Sequence, residues 1–324
     1  MKACHVYLID TPYPTDSDIE RRKFELLTHI YSCINHKAVN PDIPLVLITD
    51  PNTVRYYDDW QLTGLYDEVI THIHDDYPRE RISRNFWASP KIWAMSKLHA
   101  PFVIFDTDII VHRRLTDFTD CDLLYLHRET TAIYPNVFDI TGPPGFLWDE
   151  EMVRCFRGTL PMNCAVVGMF NEAFKNDYVE KYFGFALDAP GDVQYANPNS
   201  HLMYPWSSAQ IVTEQWLLAA LAYYWAMVAN TPIKTRAMVK ALWASNDFCP
   251  LDMDLGPGPG AVAAELQNTF YHLWGAKKHQ NNPRHAYYDL VRTTLLRGKY
   301  IVETSPQYDS VKDVFHRIVS QLEA

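Results

Sequence analysis

Two carboxylates one residue apart, Asp106 and Asp108, end the apolar run Phe102-Val103-Ile104-Phe105, and Ile109-Ile110-Val111 resumes it. Acidic side chains are rarely buried without a partner. At the end of a strand that is apolar on both faces, two of them offer hard oxygens to a divalent cation, Mn²⁺ or Mg²⁺. The chain holds three other Asp-x-Asp sequences, Asp16/Asp18, Asp120/Asp122 and Asp252/Asp254. Most such pairs are solvated turns. Asp16/Asp18 lies in a polar stretch before a helix, Asp252/Asp254 beside a Pro/Gly loop, and only Asp106/Asp108 follows a strand that reads as buried. A rival metal cluster is His72-Ile73-His74-Asp75-Asp76, where strand alternation places both histidines on one face, although the stretch has the character of a sheet-edge loop. Glu214-Gln215 is a third candidate. It stands near the start of a helix almost devoid of other charge, where a carboxylate gains from the helix N-terminus.

The elements that position these residues alternate through the first half. Val6–Ile9 is a short apolar strand closed by Asp10-Thr11-Pro12. Ser17-x-x-Glu20 is a capping box opening a helix to about Asn35, with Phe24, Leu27, Ile30, Tyr31 and Ile34 at helical spacing. Leu45–Ile48 is a second buried strand, closed by Thr49-Asp50-Pro51, and Glu68–Thr71 a third. Ser89-Pro90 starts a helix with proline in its first turn, and the Phe102 strand follows. This order predicts an α/β fold, a mostly parallel, Rossmann-like sheet with helices on both faces. Right-handed crossovers bring Asp10, Asp50 and Asp106/Asp108 to one edge, where ligands of such sheets bind.

In the second half, Leu123–Leu126 and Asn163–Gly168 read as strands and about 171–187 as a helix. A polar and aromatic loop, Gly191–Trp206, has the character of a site cover. Ser207/Ser208 can cap a helix running to about Val228. Asn268–Trp274 reads as extended, and two helices are expected at about 284–297 and 308–322. The organisation expected is one catalytic domain, 1–280, with a nucleotide-binding half at 1–112 and a sugar and acceptor half at 113–280. A helical extension follows at 281–324.

Bulk properties narrow the function. The 324 residues carry a formal charge of −10, which opposes a surface built to track a phosphate backbone. The six cysteines are scattered without a C-x-x-C pair; they read as small buried hydrophobes of a reducing compartment. The N-terminus is too short for a secretory signal before Asp10 and two prolines, and the longest apolar run, Trp216–Ala229, falls short of the roughly 20 residues of a span. A cytoplasmic protein is expected. No glycine-rich phosphate loop is present, so a phosphate ligand must be neutralised by metal and side chains.

Together these stretches resemble the GT-A class of nucleotide-sugar-dependent glycosyltransferases with an Asp-x-Asp motif. Asn163-Cys164-Ala165-Val166-Val167 resembles that class's Asn-x-Gly/Ala-Val strand, Thr213-Glu214-Gln215-Trp216-Leu217-Leu218 its Asp-Gln-x-x-Leu helix start, and His272-Leu273-Trp274-Gly275-Ala276-Lys277-Lys278 its His-x-x-Gly-x-Lys-Pro segment. The set is closest to the family 8 retaining type, the glycogenin and bacterial galactosyltransferase group. It departs at Glu214, where that family has Asp, and at Lys278, where it has Pro.

The resemblance implies a metal-dependent hexosyltransferase moving a sugar from a nucleotide-sugar, UDP-linked, with retention. It implies Asp106, Asp108 and His272 as metal ligands, an imidazole favouring Mn²⁺ over Mg²⁺, with Asp106 also facing the ribose. Tyr7, Asp10 and Thr11 would hold base and ribose. Arg84 and Lys91 would meet the donor, Asn163 would floor the sugar pocket, and Lys277 or Lys278 would meet the β-phosphate. Gln215 would stabilise charge at the anomeric carbon, while Glu214 holds sugar hydroxyls. The acceptor, a glycan, protein or modified-base hydroxyl, is left open. Two alternatives are an NDP-sugar nucleotidyltransferase, which normally carries an N-terminal Gly-rich, Arg-containing signature not seen here, and a non-catalytic carbohydrate-binding protein on a degenerate transferase fold.

Overall fold

The structure is a computed structural model. It describes residues 1–8, 19–83, 86–111, 113–128, 150–187, 212–238, 270–272, 302–304, 306, 309 and 312–323. Among these run β1 (Lys2–Val6), α1 (Ile19–Val39), β2 (Leu45–Ile48), α2 (Pro51–Asp59), β3 (Glu68–Ile70), α3 (Ser89–Lys97), β4 (Phe102–Phe105), β5 (Ile109–Val111), β6 (Leu123–Tyr125), α4 (Glu150–Arg157), β7 (Val166–Met169), α5 (Glu172–Ala186), α6 (Leu217–Met227), β8 (Thr235–Ala237), β9 (Phe270–His272) and α7 (Lys312–Glu323). The fold is mixed α/β, with a seven-stranded, mostly parallel sheet in the order β3-β2-β1-β4-β7-β6-β8 and a two-stranded ribbon of β5 and β9. The alternation of strands and helices in the sequence is therefore the alternation in space. No described helix is long and apolar enough to cross a membrane.

The chain divides into two compact units. The first comprises 1–72, 105–117 and 247–324. In it β1 pairs parallel with β2, Ala3 opposite Leu45 and Val6 opposite Ile48, and β2 pairs parallel with β3. All four residues of β2 are fully buried, and each such aliphatic side chain contributes roughly 1.5–3 kcal/mol of burial free energy. Asp50 ends that strand and caps α2, accepting from the amides of Asn52 and Thr53 at 2.7 and 3.0 Å, while Pro51 occupies the first turn, where no amide is needed. α1 lies along β5 and is tied to it by side chains reaching backbone carbonyls: Ser32 to Ile109 at 2.5 Å, and Asn35 to Val111. α7 belongs to the same unit and packs on α1 through Phe315 and Tyr31, ring centroids 5.5 Å apart.

The second unit comprises 73–104 and 118–246. β6 pairs antiparallel with β7 and parallel with β8. α3 packs on α5 through Trp93 and Phe183 and through the hydroxyls of Ser89 and Tyr182, 2.9 Å apart. Asn171 caps α5 through the Phe174 amide at 3.1 Å. Gly168 in β7 allows close approach: a Cβ there would fall 2.8 Å from Phe170, 2.9 Å from Leu124 and 3.3 Å from Val103.

Several sequence expectations shift. α1 continues to Val39, four residues beyond Asn35. The strand expected at Asn163–Gly168 is β7, Val166–Met169, because the Asn163 side chain accepts from the Ala165 amide at 3.0 Å and turns the chain first. The His72–His74 stretch is a 3₁₀ turn and not a strand, so its histidines do not share a face. His74 Nε2 is engaged by the Pro90 carbonyl at 3.1 Å, and Trp93 Nε1 donates to the Ile73 carbonyl at 3.0 Å. These bonds engage His74 and its neighbour within the rival metal cluster. The helices expected at 207–228 and 308–322 correspond to a π-helical turn at Val212–Trp216 running into α6, and to α7. The loop at 191–206 and the helix at 284–297 lie outside the described residues.

Candidate active site

In the first unit the Asp106-Thr107-Asp108 turn joins β4 to β5. The Ile109 amide donates to the Asp106 carbonyl at 3.0 Å, closing the turn. Asp106 is partly exposed and Asp108 is buried, 3% exposed. A carboxylate withdrawn from water to that degree is stable only among donors or cations. β5 then pairs antiparallel with β9, Ile109 opposite His272, Ile110 opposite Tyr271 and Val111 opposite Phe270. The register thus sets His272 across from the residue that follows Asp108. Asp108 and His272, 164 positions apart in sequence (272 − 108), are thus brought to one end of a two-stranded ribbon by its register. Tyr7, also in this unit, stacks on Tyr57 with centroids 5.7 Å apart. Asp10, Thr11, Lys277 and Lys278 lie outside the described residues.

The second unit gathers a different set. Lys91 on α3 places Nζ 2.6 Å from Glu214 Oε1 and donates to the Cys164 carbonyl at 2.9 Å. Both side chains are withdrawn from solvent, 11% and 5% exposed. Glu214 and Gln215 occupy the π-helical turn before α6. Such turns widen the helix by one residue and recur where a helix must aim a side chain. The backbone here is fixed from two sides, by the Met162 amide donating to the Gln215 carbonyl at 3.0 Å and by the Tyr178 hydroxyl donating to the Glu214 carbonyl at 3.1 Å. Burial holds the Tyr178 hydroxyl in its neutral, donating form, its pKa pushed well above the usual tyrosine value. Asn163 adjoins this group in sequence and is buried, its amide bonded to the His127 carbonyl at 2.8 Å. Among the described residues, nothing hydrogen-bonds the buried Oε1 of Gln215. A buried amide oxygen without a donor costs about 1–3 kcal/mol, which a donating or electropositive ligand would relieve. Arg84 lies outside the described residues.

Lys91 and Glu214, expected from the sequence to meet different parts of a donor molecule, are thus each other's partners in the structure. Tyr178, which fixes the Glu214 backbone, was not legible as a site residue; its position on α5 is an ordinary core position.

Residues 15–296 match the family model described as "Family of unknown function (DUF6734)". The chain belongs to this family. The matched span takes in every candidate residue of this family member except Tyr7, Asp10 and Thr11. No curated protein matches the chain. Among solved structures it is similar to PaToxG glycosyltransferase at 8% identity and a TM-score of 0.36, over 71% of this chain and 70% of that one. It is similar to mouse xyloside xylosyltransferase 1 in the apo form at 10% identity and 0.40, over 84% and 96%. A third likeness is to galactosyltransferase LgtC in complex with donor and acceptor sugar analogs, at 11% identity and 0.30, over 56% and 60%.

Proposed function

We propose that this protein is a metal-dependent glycosyltransferase of GT-A type that moves a sugar from a UDP-linked donor to a hydroxyl acceptor with retention. The observation that carries the reading is the β5–β9 register, which sets His272 opposite Ile109 and beside Asp106-x-Asp108. The donor set fits a divalent cation: two hard carboxylates, one of them buried, and an imidazole, which favours Mn²⁺. Asp106, Asp108 and His272 would hold the ion. Once bound, it would offset the negative charge that gathers on the diphosphate as the sugar departs.

The remaining steps belong to the chain's own residues. Gln215 directs its amide oxygen at the anomeric carbon, where positive charge develops as the bond from C1 to the phosphate oxygen breaks. That oxygen has no donor among the described residues. Glu214 holds sugar hydroxyls, and Lys91 holds Glu214 oriented at 2.6 Å. Tyr7 supports the base by stacking. The acceptor oxygen forms the new bond to C1, and its proton passes to the departing phosphate oxygen, so no protein general base is required. Lys277 or Lys278 meets the β-phosphate.

The test is UDP release from a panel of UDP-sugars with Mn²⁺ by the full chain and by Asp108→Ala. Metal-dependent release that disappears in Asp108→Ala supports the reading. Equal release by both chains, or no binding of UDP to the folded wild-type chain by calorimetry with Mn²⁺ present, overturns it.

A further inference from the structure

Away from the aspartate turn, the first unit buries a polar cluster that the proposed reaction does not use. His5 on β1, His29 and Cys33 on α1, and Tyr66 just after the 3₁₀ turn Thr63–Leu65 are all buried. His29 and Cys33 are four apart, and so stand on one helix face. His29 Nε2 lies 3.2 Å and Cys33 Sγ 3.8 Å from His5 Nδ1, and the ligand atoms of all three lie within 4.8 Å of one another. The Tyr66 hydroxyl is 2.8 Å from His5 Nδ1 and in close contact with His29 Nε2.

The proton positions on His5 follow from its neighbours. The Ser32 hydroxyl donates to the Ile109 carbonyl at 2.5 Å, so at 3.0 Å it must accept from His5 Nε2–H. With Nε2–H donating to Ser32, the neutral ring turns its Nδ1 lone pair inward, and three heteroatoms converge on it. One lone pair cannot serve three partners as a hydrogen-bond acceptor. His29 is oriented in the same manner, its Nδ1 held 2.7 Å from the Tyr57 hydroxyl while Nε2 turns inward. Each imidazole is thus anchored by its outer nitrogen and presents the inner one, as metal-ligating histidines do.

We propose that His5 Nδ1, His29 Nε2 and Cys33 Sγ hold a zinc ion, with the Tyr66 hydroxyl hydrogen-bonding beside it. Zinc bonds of about 2.0–2.1 Å to nitrogen and about 2.3 Å to sulfur, at tetrahedral angles, require N···N near ~3.3 Å and N···S near ~3.6 Å. The cluster has 3.2 and 3.8 Å. One thiolate with two neutral imidazoles suits zinc better than a hard cation. On binding, the Cys33 thiol proton leaves to solvent and sulfur becomes the anionic ligand. The ion fastens β1 to α1.

The experiment uses the full chain, purified without chelator and assayed for zinc, then prepared with Co²⁺ in place of zinc for absorption spectroscopy. About one zinc per chain is expected, together with a thiolate-to-cobalt band in the near ultraviolet. That band should vanish in Cys33→Ser and persist in Cys4→Ser, a second buried thiol, and in Asp108→Asn. The Asp106/Asp108/His272 set has no thiolate and cannot produce it, so the outcome is independent of the proposed transferase reaction. A folded wild-type chain with neither zinc nor the cobalt band overturns the proposal, whatever the variants do. A band that survives Cys33→Ser does so as well.

Discussion

Lys91 Nζ and Glu214 Oε1 form a 2.6 Å ion pair withdrawn from solvent. Removing one member of such a pair strands a charge in a poorly solvated place and costs about 3–5 kcal/mol, whereas replacing both with apolar groups is often neutral. Lys91→Met and Glu214→Leu are each expected to lower urea stability by about that amount. The double variant should recover most of the loss, short of the bond from Lys91 to the Cys164 carbonyl. A double-mutant cycle in urea checks this; additive losses would mean the two side chains do not act together.

His272 faces Ile109 across the ribbon, beside Asp108. His272→Ala is expected to reduce Mn²⁺-dependent UDP release by more than the roughly 10–100-fold that changes around a ligand shell cost. Raising Mn²⁺ should restore part of the rate, since a ligand lost weakens affinity before it alters chemistry. A Mn²⁺ titration of the initial rate checks this, and a variant with an unchanged Mn²⁺ midpoint would remove His272 from the site.

Gln215→Leu separates stability from catalysis. The Oε1 it removes has no donor among the described residues, so the variant should be as stable as the parent or more so. Turnover should nonetheless fall, by roughly 10²–10³ if this oxygen faces the developing charge. Thermal melts and kcat, measured on the same preparation, check both halves.

The apolar strands were legible because β2 and β4 are runs of consecutive buried residues bounded by Asp or Pro, a pattern that depends only on local sequence. The Asp-x-Asp turn was legible for the same reason. Asn163 shows where local reading stops: its side chain spends its acceptor on the Ala165 amide and delays β7 by three residues, which no periodicity reports. The His72–His74 stretch has the character of a sheet-edge loop in the sequence and is a turn in the structure. Its alternation is that of a strand, but the Pro90 carbonyl and the Trp93 indole from α3 hold it as a 3₁₀ turn. His5, His29 and Cys33 were invisible as a set, because each alone is an ordinary core residue. Only the four-residue spacing of His29 and Cys33 hinted at a shared face.

Gly168→Ala tests the close packing of β7. The added methyl would sit 2.8 and 2.9 Å from Phe170 and Leu124, and overpacking of this kind costs typically about 1–3 kcal/mol. The loss should appear in the unfolding midpoint with little change in the Mn²⁺ dependence of activity.

His36 makes stability depend on pH. Burial lowers its pKa from the ordinary 6.5, against the opposing bond from its ring to the Ile43 carbonyl at 2.9 Å. The unfolded chain therefore binds more protons below pH 6.5, and stability is full above that pH and falls as pH drops below it. The urea midpoint should decline on acidification from about pH 7 to about pH 5, and His36→Gln should flatten that decline. An equal slope in the variant would assign the dependence to other groups.

The ribbon of β5 and β9 has a consequence for the order of assembly. Among the described residues, 109–111 find their strand partner at 270–272, so a chain emerging from the ribosome makes its aspartate pair long before the strand that completes the ribbon exists. Closing so long a loop adds little free energy per further doubling, about 0.6 kcal/mol, but it delays contact and so slows folding. A nascent chain arrested before residue 270 would carry both carboxylates and no histidine across from them. The aspartate turn thus remains without its ribbon partner until residues 270–272 have been synthesised, long after the turn itself has left the ribosome.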